Sequence, residues 1–195
     1  MKTFFDLIDQ LRDPAQPDPQ GVESQILAQF QAEKSIFALD MSGYSFSARR
    51  GGILQHLCKI REMQAFCRPI IAAHGGEIVR LLADNVLAVF NRPDPAIEAA
   101  LDMQRALGNP HPSFRRDWML SVAIGIDHGK ILLVPGADCF GDAVNIAYKL
   151  GEDVARGGEI LITENARTHL TGSFELESLD LSVSGLRIPA HRVIV

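Results

Sequence analysis

The sequence predicts an α+β fold: a ferredoxin-like α/β sandwich with an antiparallel-rich sheet, helices on one face and additional C-terminal strands. Three observations lead there. Between residues 35 and 134 the patterns read in order as strand, helix, hairpin, helix, strand. Hydrophobic residues make up 47% of the 195, enough for a full core in one domain. The longest apolar runs, such as Val86–Phe90 and Ile131–Val134, are strand-sized and far short of the ~20 residues a membrane helix needs.

Residues 1–33 read as an N-terminal extension (a dimerisation arm, a docking element or a tether) ahead of a body at 34–195. Phe4, Phe5, Leu7, Ile8 and Leu11 make a short amphipathic helix. Pro14, Pro17 and Pro19 then break it, because each removes a donor and favours extended backbone. A second helical segment at about 22–33 leads into the body. Ser35–Asp40 is a buried strand whose last residue, Asp40, emerges at the sheet edge, and Met41–Ser45 is a turn. Over 51–74 apolar residues from Ile53 to Ile71 recur at helical spacing, with a kink expected at Pro69.

Gly75-Gly76 ends that helix. The apolar runs Ile78–Leu82 and Val86–Phe90 flank Ala83-Asp84-Asn85, a hairpin signal in which Asn85 tolerates the positive φ of a tight turn. Pro93–Leu107 is helical, with Pro93 near its start, and 108–112 is a loop. Trp118–Asp127 alternates and passes His128-Gly129 into Lys130–Val134, which reads as a second hairpin. Phe140–Ala155 is a glycine-led helix that Asp142 would cap, Glu159–Thr163 a strand and Glu164–Leu170 a helix. Phe174–Ser182 and His191–Val195 close the chain as strands.

A net charge of −5 and a pI near 5.6 argue against a basic surface for nucleic acid or anionic membrane. Cys58, Cys67 and Cys139 form no CxxC pair, so neither a disulfide framework nor a zinc knuckle is implied. Met1–Leu11 carries Asp6 and Asp9, unlike a secretory signal. The expectation is a soluble, cytoplasmic protein with no nucleic-acid and no membrane partner. His74 and His128, beside glycines at element ends and without a third ligand at metal spacing, read as structural, and Arg49-Arg50 as a solvated helix start.

Two acids stand at equivalent places, Asp40 at the end of the first strand and Asp84 on the next hairpin's turn. A ferredoxin-like topology lays that strand beside that hairpin. Two carboxylates at one edge repel unless a cation lies between them. Oxygen ligands of this kind suit Mg²⁺ or Mn²⁺, which complete their shell with water and phosphate. Met41, Ser42, Gly43 and Tyr44 follow Asp40 and offer backbone N–H groups as an anion cradle, an arrangement for triphosphate chemistry.

Five blocks, taken together, resemble the motifs of the class III nucleotidyl cyclases. They are Phe37–Tyr44, Val79–Phe90, Val122–Gly129, Asp138–Lys149 and Gly157–Ile162, in the family's order and spacing and spanning about residues 35–195. The resemblance implies two Mg²⁺ or Mn²⁺ ions on Asp40 and Asp84. It implies Asn145 on the ribose, Asp138 reading the base as in adenine-specific members, and ATP converted to cyclic AMP and pyrophosphate by a homodimer. It also implies a substrate-binding role for Arg80, where adenylate cyclases usually carry a Lys that donates to adenine. Lys149 stands where the family has a catalytic Arg acting on the α-phosphoryl group.

Three departures keep alternatives open. Arg80 is bulkier than Lys and its donors are arranged differently. Lys149 keeps the charge but loses the two-pronged fork, and one lost transition-state donor typically costs about 10²–10³ in rate. Ala83 replaces a usual Gly, at a cost on the order of 1 kcal/mol if its φ is positive, unless Asn85 takes that conformation. The alternatives are a degenerate cyclase-like domain that binds nucleotide or a partner without turnover, and a cyclase acting on another nucleoside triphosphate. Arg187 reads as a solvated surface residue rather than a phosphate contact.

Overall fold

The computed structural model describes residues 3–42, 52–107, 120–183 and 186–195. Gly43 and Tyr44 of the expected cradle, Arg49-Arg50 and the 108–112 loop lie outside the described residues.

The long apolar runs pair into one sheet. Its strands are β1 (Gln31–Met41), β2 (Glu77–Leu82), β3 (Asn85–Phe90), β4 (Val122–Val134), β5 (Asp138–Phe140), β6 (Ile160–Thr163), β7 (Leu176–Val183) and β8 (Leu186–Val193). Their order is β2-β3-β1-β4-β6-β8-β7, with β5 paired to β4. The β2-β3-β1-β4 part is antiparallel throughout. Helices at Ile53–Ala73 and Pro93–Leu107 connect β1 to β2 and β3 to β4, which is the expected ferredoxin-like unit. β6 adds parallel to β4, and β8 and β7 continue antiparallel as the additional C-terminal strands.

We number the helices α1 (Phe4–Leu11), α2 (Pro19–Phe30), α3 (Ile53–Ala73), α4 (Pro93–Leu107), α5 (Asp142–Tyr148) and α6 (Glu164–Thr168). A π-helical turn at Lys149–Val154 follows α5. The helix α3 continues through Pro69 to Ala73. The sheet is covered on both faces, not one. Phe37, Leu39, Val86, Ala88 and Phe90 face a core shared with α3 and α4. Ile36, Ala38, Leu87 and Val89 face a second core with Ala143, Val144 and Ala147 of α5. This is why Ile36–Leu39 and Val86–Phe90 are continuous apolar runs rather than alternating ones.

Two further expectations are corrected. His128-Gly129 is not a turn, because β1 is eleven residues long and pairs straight past it, Ser35 opposite His128 and Lys34 opposite Gly129. The reversal comes later, where Gly136 adopts φ 71° and the Ala137 N–H closes on the Val134 carbonyl at 3.0 Å. Residues 31–33 are strand rather than helix, since Lys130–Leu132 offer them a partner. The helix before them starts earlier, with Asp18 capping it and Pro19 in its first turn.

The extension packs onto the sheet. Phe4, Leu7, Val22 and Ile26 form a small core with Val134, and the Phe4 ring stacks on Phe140 at 5.6 Å. A capping box fixes the start of α1, with Thr3 and Asp6 each accepting from the other's backbone N–H.

Candidate active site

The turn joining β2 to β3 has two residues, Ala83 and Asp84, and Ala83 carries the positive φ of 50°. Asn85 does not take that role, because it already pairs with Leu82 inside the ladder. The strained alanine is held from below: Gln64 of α3, 6% exposed, donates its amide to the Ala83 carbonyl at 2.9 Å. Asp84 is thereby carried to the end of β1.

There Asp40 is half-buried, and its pKa is pushed up to about 6 by burial, then by Asp84 and Glu152, against a backbone hydrogen bond from Met41. Glu152, in the π-helical turn, is raised by burial, Asp153 and Asp84, and its carboxylate accepts from the Asn85 amide at 2.5 Å. Asp40 therefore carries its charge against two neighbouring carboxylates, Asp84 and Glu152. Such a donor set is that of a hard divalent cation, so these residues fit Mg²⁺ or Mn²⁺.

Glu152 escaped sequence reasoning. Its signal was spacing, since it lies seven residues after Asn145 on what an ideal helix would make the same face. The π turn lies flat on the sheet because two glycines permit it. A Cβ on Gly125 would meet the Ala147 carbonyl oxygen at 2.2 Å and the Gly151 nitrogen at 2.5 Å, and one on Gly151 would meet the Ala38 carbonyl oxygen at 2.8 Å.

A second cluster forms on the α5 face. Register slips between Ile78 and Arg80, so Val79 is an extra residue in β2. Without that bulge Arg80 would alternate into the core beneath α3; with it, Arg80 pairs opposite Leu87 on the α5 side. Its Nη1 donates to Asp138 Oδ2 at 2.7 Å and its Nη2 to the Tyr148 hydroxyl at 3.1 Å. The other Asp138 oxygen accepts from the Cys139 N–H at 2.9 Å. Arg80 and Tyr148 hold each other, which raises the Arg80 pKa, while burial raises that of Tyr148. Arg80 Nε is buried with no partner among the described residues.

An open cleft of about 340 Å³ is lined by Arg80, Asp138 and Asn145, with Phe140, Val144 and Tyr148 among its walls. Asn145 is exposed on α5, and Lys149 begins the π turn four residues on. Gly141, which has no side chain to bond the first turn, is the N-cap of α5, and Asp142 sits within that turn. Tyr148 was missed from sequence, although it follows Asn145 by three and so shares its helix face.

The structure brings Arg80, Asp138 and Asn145 together and gathers Asp40 with Asp84. Glu152 lies between the two groups, since Arg80 lowers and Asp84 raises its pKa. Of the expected cradle, the Met41 N–H is spent on Asp40, and the Ser42 N–H on the Ser121 carbonyl at 2.8 Å. The Met41 side chain is buried in the core. Arg187 forms two bonds to Asp180 across β7 and β8, at 3.0 and 2.6 Å.

Residues 34–190 match the family model described as the adenylate and guanylate cyclase catalytic domain. The protein named "Putative adenylate cyclase 3" of Rhizobium meliloti (strain 1021) is 26% identical over 160 residues, 80% of this chain and 27% of its own length. The chain spans less than a third of the curated relatives it matches. Among solved structures, the adenylate/guanylate cyclase/hydrolase from Silicibacter pomeroyi is 29% identical with TM-score 0.71, covering 85% of this chain and 98% of that one. The catalytic core of a rhodopsin-guanylyl cyclase with converted specificity, in complex with ATPαS, shares the fold at TM-score 0.74. It is 20% identical over 84% of this chain and 97% of that one.

Proposed function

The chain belongs to the adenylate and guanylate cyclase catalytic domain family, and from that premise we propose that it converts ATP to 3′,5′-cyclic AMP and pyrophosphate at composite sites of a homodimer. The observation that carries the reading is the placement of Asp84 beside Asp40, where it raises the cost of the Asp40 charge in the absence of a cation. Asp40 and Asp84 would hold two Mg²⁺ or Mn²⁺ ions, which would supply positive charge to the ribose 3′-oxygen and the triphosphate.

The chain's own groups do the rest. The Met41 N–H fixes one oxygen of Asp40. Asp138 accepts from the exocyclic amine of adenine, and Arg80, steadied by Asp138 and Tyr148, donates to the ring. Asn145 orients the ribose, and Lys149 stabilises charge on the α-phosphoryl group. The 3′-oxygen bonds to the α-phosphorus as the bond to pyrophosphate breaks, and the hydroxyl proton passes to water. In the homodimer Asp84 serves the ions of its own half, while Arg80 serves the base bound across the interface. One hairpin thus feeds two sites.

The test is cyclic nucleotide production with Mn²⁺ and each of ATP, GTP, CTP and UTP. Cyclic AMP from ATP is expected; no product from any of the four at high enzyme concentration would sink the reading, and a preference for another triphosphate would sink its adenine half. A second reading, nucleotide binding without turnover, is favoured by the closed Arg80–Asp138 pair and the missing fork at Lys149. Calorimetry separates them: ATP binding with no cyclisation, unchanged by Lys149→Arg, would favour the second.

A further inference from the structure

At the opposite end of β1 from Asp40, three side chains from distant parts of the chain face one another. Glu33 lies near the start of β1, His128 in the middle of β4, and His169 caps α6. One ligand atom from each lies within 4.8 Å of the others, and the two imidazole centroids are 4.4 Å apart. Sequence spacing hides this third ligand, because the fold alone brings Glu33 and His169 to His128. We propose that Glu33, His128 and His169 form a binding site for a first-row divalent transition-metal ion, Zn²⁺ foremost, separate from the catalytic carboxylates.

The surroundings are those of metal ligands. His169 Nδ1 donates to the Asn165 carbonyl at 2.8 Å, which leaves Nε2 with its lone pair. His128 is 5% exposed, and its Nδ1 lies 2.8 Å from the hydroxyl of fully buried Ser35. With Nδ1–H donating to Ser35, His128 Nε2 presents a lone pair towards Glu33 Oε1, 3.6 Å away. Two imidazole lone pairs and a carboxylate then converge with no proton to share, which calls for a cation. The Asn165 side chain bonds the His128 carbonyl and ties α6 to β4 at this point.

Two imidazoles and one carboxylate select Zn²⁺ and its neighbours over Mg²⁺. Ligand atoms on a tetrahedral zinc stand about 3.3 Å apart, from bonds of about 2.0 Å. The exposed Glu33 and His169 would draw in towards the fixed His128. The cleft of about 290 Å³ leaves a fourth position open beside Arg92, whose guanidinium bonds the His169 carbonyl at 3.3 Å and sits 4.0 Å from Asp94. Seven residues of extended β1, roughly 23 Å, separate Glu33 from Asp40, too far for one ion to serve both.

Metal-free protein without a polyhistidine tag, in saturating Mg²⁺, is titrated with Co²⁺ by visible absorption and with Zn²⁺ by calorimetry. Expected are stoichiometric Co²⁺ uptake with d–d bands, displacement by Zn²⁺, and no thiolate charge-transfer band. His169→Ala and Glu33→Gln, both at exposed side chains, should weaken binding by about 100-fold or more, while Asp84→Asn should retain it. Three outcomes would overturn the proposal: no uptake, as when His128 instead gives its Nε2 proton to Glu33; binding unmoved by both variants; or binding lost with Asp84→Asn or marked by a thiolate band.

Discussion

Replacing Asp40 by Asn should stabilise the metal-free protein while abolishing its chemistry. Asp40 ionises near 3.8 in the unfolded chain and at about 6 when folded. The folded state therefore favours the protonated form. The penalty is absent below about pH 4, grows between pH 4 and 6, and is complete above. The gap is worth about 3 kcal/mol at most, at 1.36 kcal/mol per pKa unit. Asp40 is only half-buried, and solvent screening brings the expected value down to about 1 kcal/mol. For a chain of this size that is about 2–4 °C in Tm.

The assay is thermal melting in EDTA at pH 8 and pH 4. Asp40→Asn should melt about 2–4 °C above the parent at pH 8 and level with it at pH 4. Adding Mn²⁺ should reverse the order at pH 8, because the ion relieves the repulsion in the parent and lacks a ligand in the variant. If Asp40→Asn melts at or below the parent at pH 8 in EDTA, the carboxylates do not oppose one another and the argument for a cation there is wrong.

Lys149→Arg should restore the fork and raise kcat on the order of 100-fold with little change in KM, measured by steady-state cyclisation. Ala83→Gly should stabilise the fold by about 1 kcal/mol in denaturant titration, since only Gly adopts the positive φ without strain. Gly125→Ala drives a methyl into the backbone of α5 and the π turn, and should cost about 1–3 kcal/mol of stability and lower kcat by displacing Asn145 and Lys149. The same titration read beside turnover checks it.

What was legible in the sequence was what local physics decides. The helical spacing from Ile53, the proline at the start of Pro93–Leu107 and the runs either side of Asp84 give elements close to those observed. What was not legible depends on partners far along the chain. His128-Gly129 resembles a turn until an eleven-residue β1 offers it a ladder. The hairpin needed a positive φ, and the nearer clue, Asn85, was already held in the strand, so Ala83 bears the strain. Arg80 stands between Val79 and Leu81, and the bulge that turns it towards Asp138 exists only in pairing with β3. Glu152 joins the candidate site through a helix that changes pitch at Lys149, a change that no residue pattern announced.

Mixing two defective chains tests the composite homodimer most directly. Asp84→Ala lacks a carboxylate for the ions, and Arg80→Ala lacks a contact to the base. Each homodimer should be inactive where the parent makes cyclic AMP. Mixed, the chains should regain activity, because one site of the heterodimer draws Asp84 from one chain and Arg80 from the other. A mixture that exchanges subunits and stays as inactive as its components would contradict it, and would place Arg80 and Asp84 in the same site.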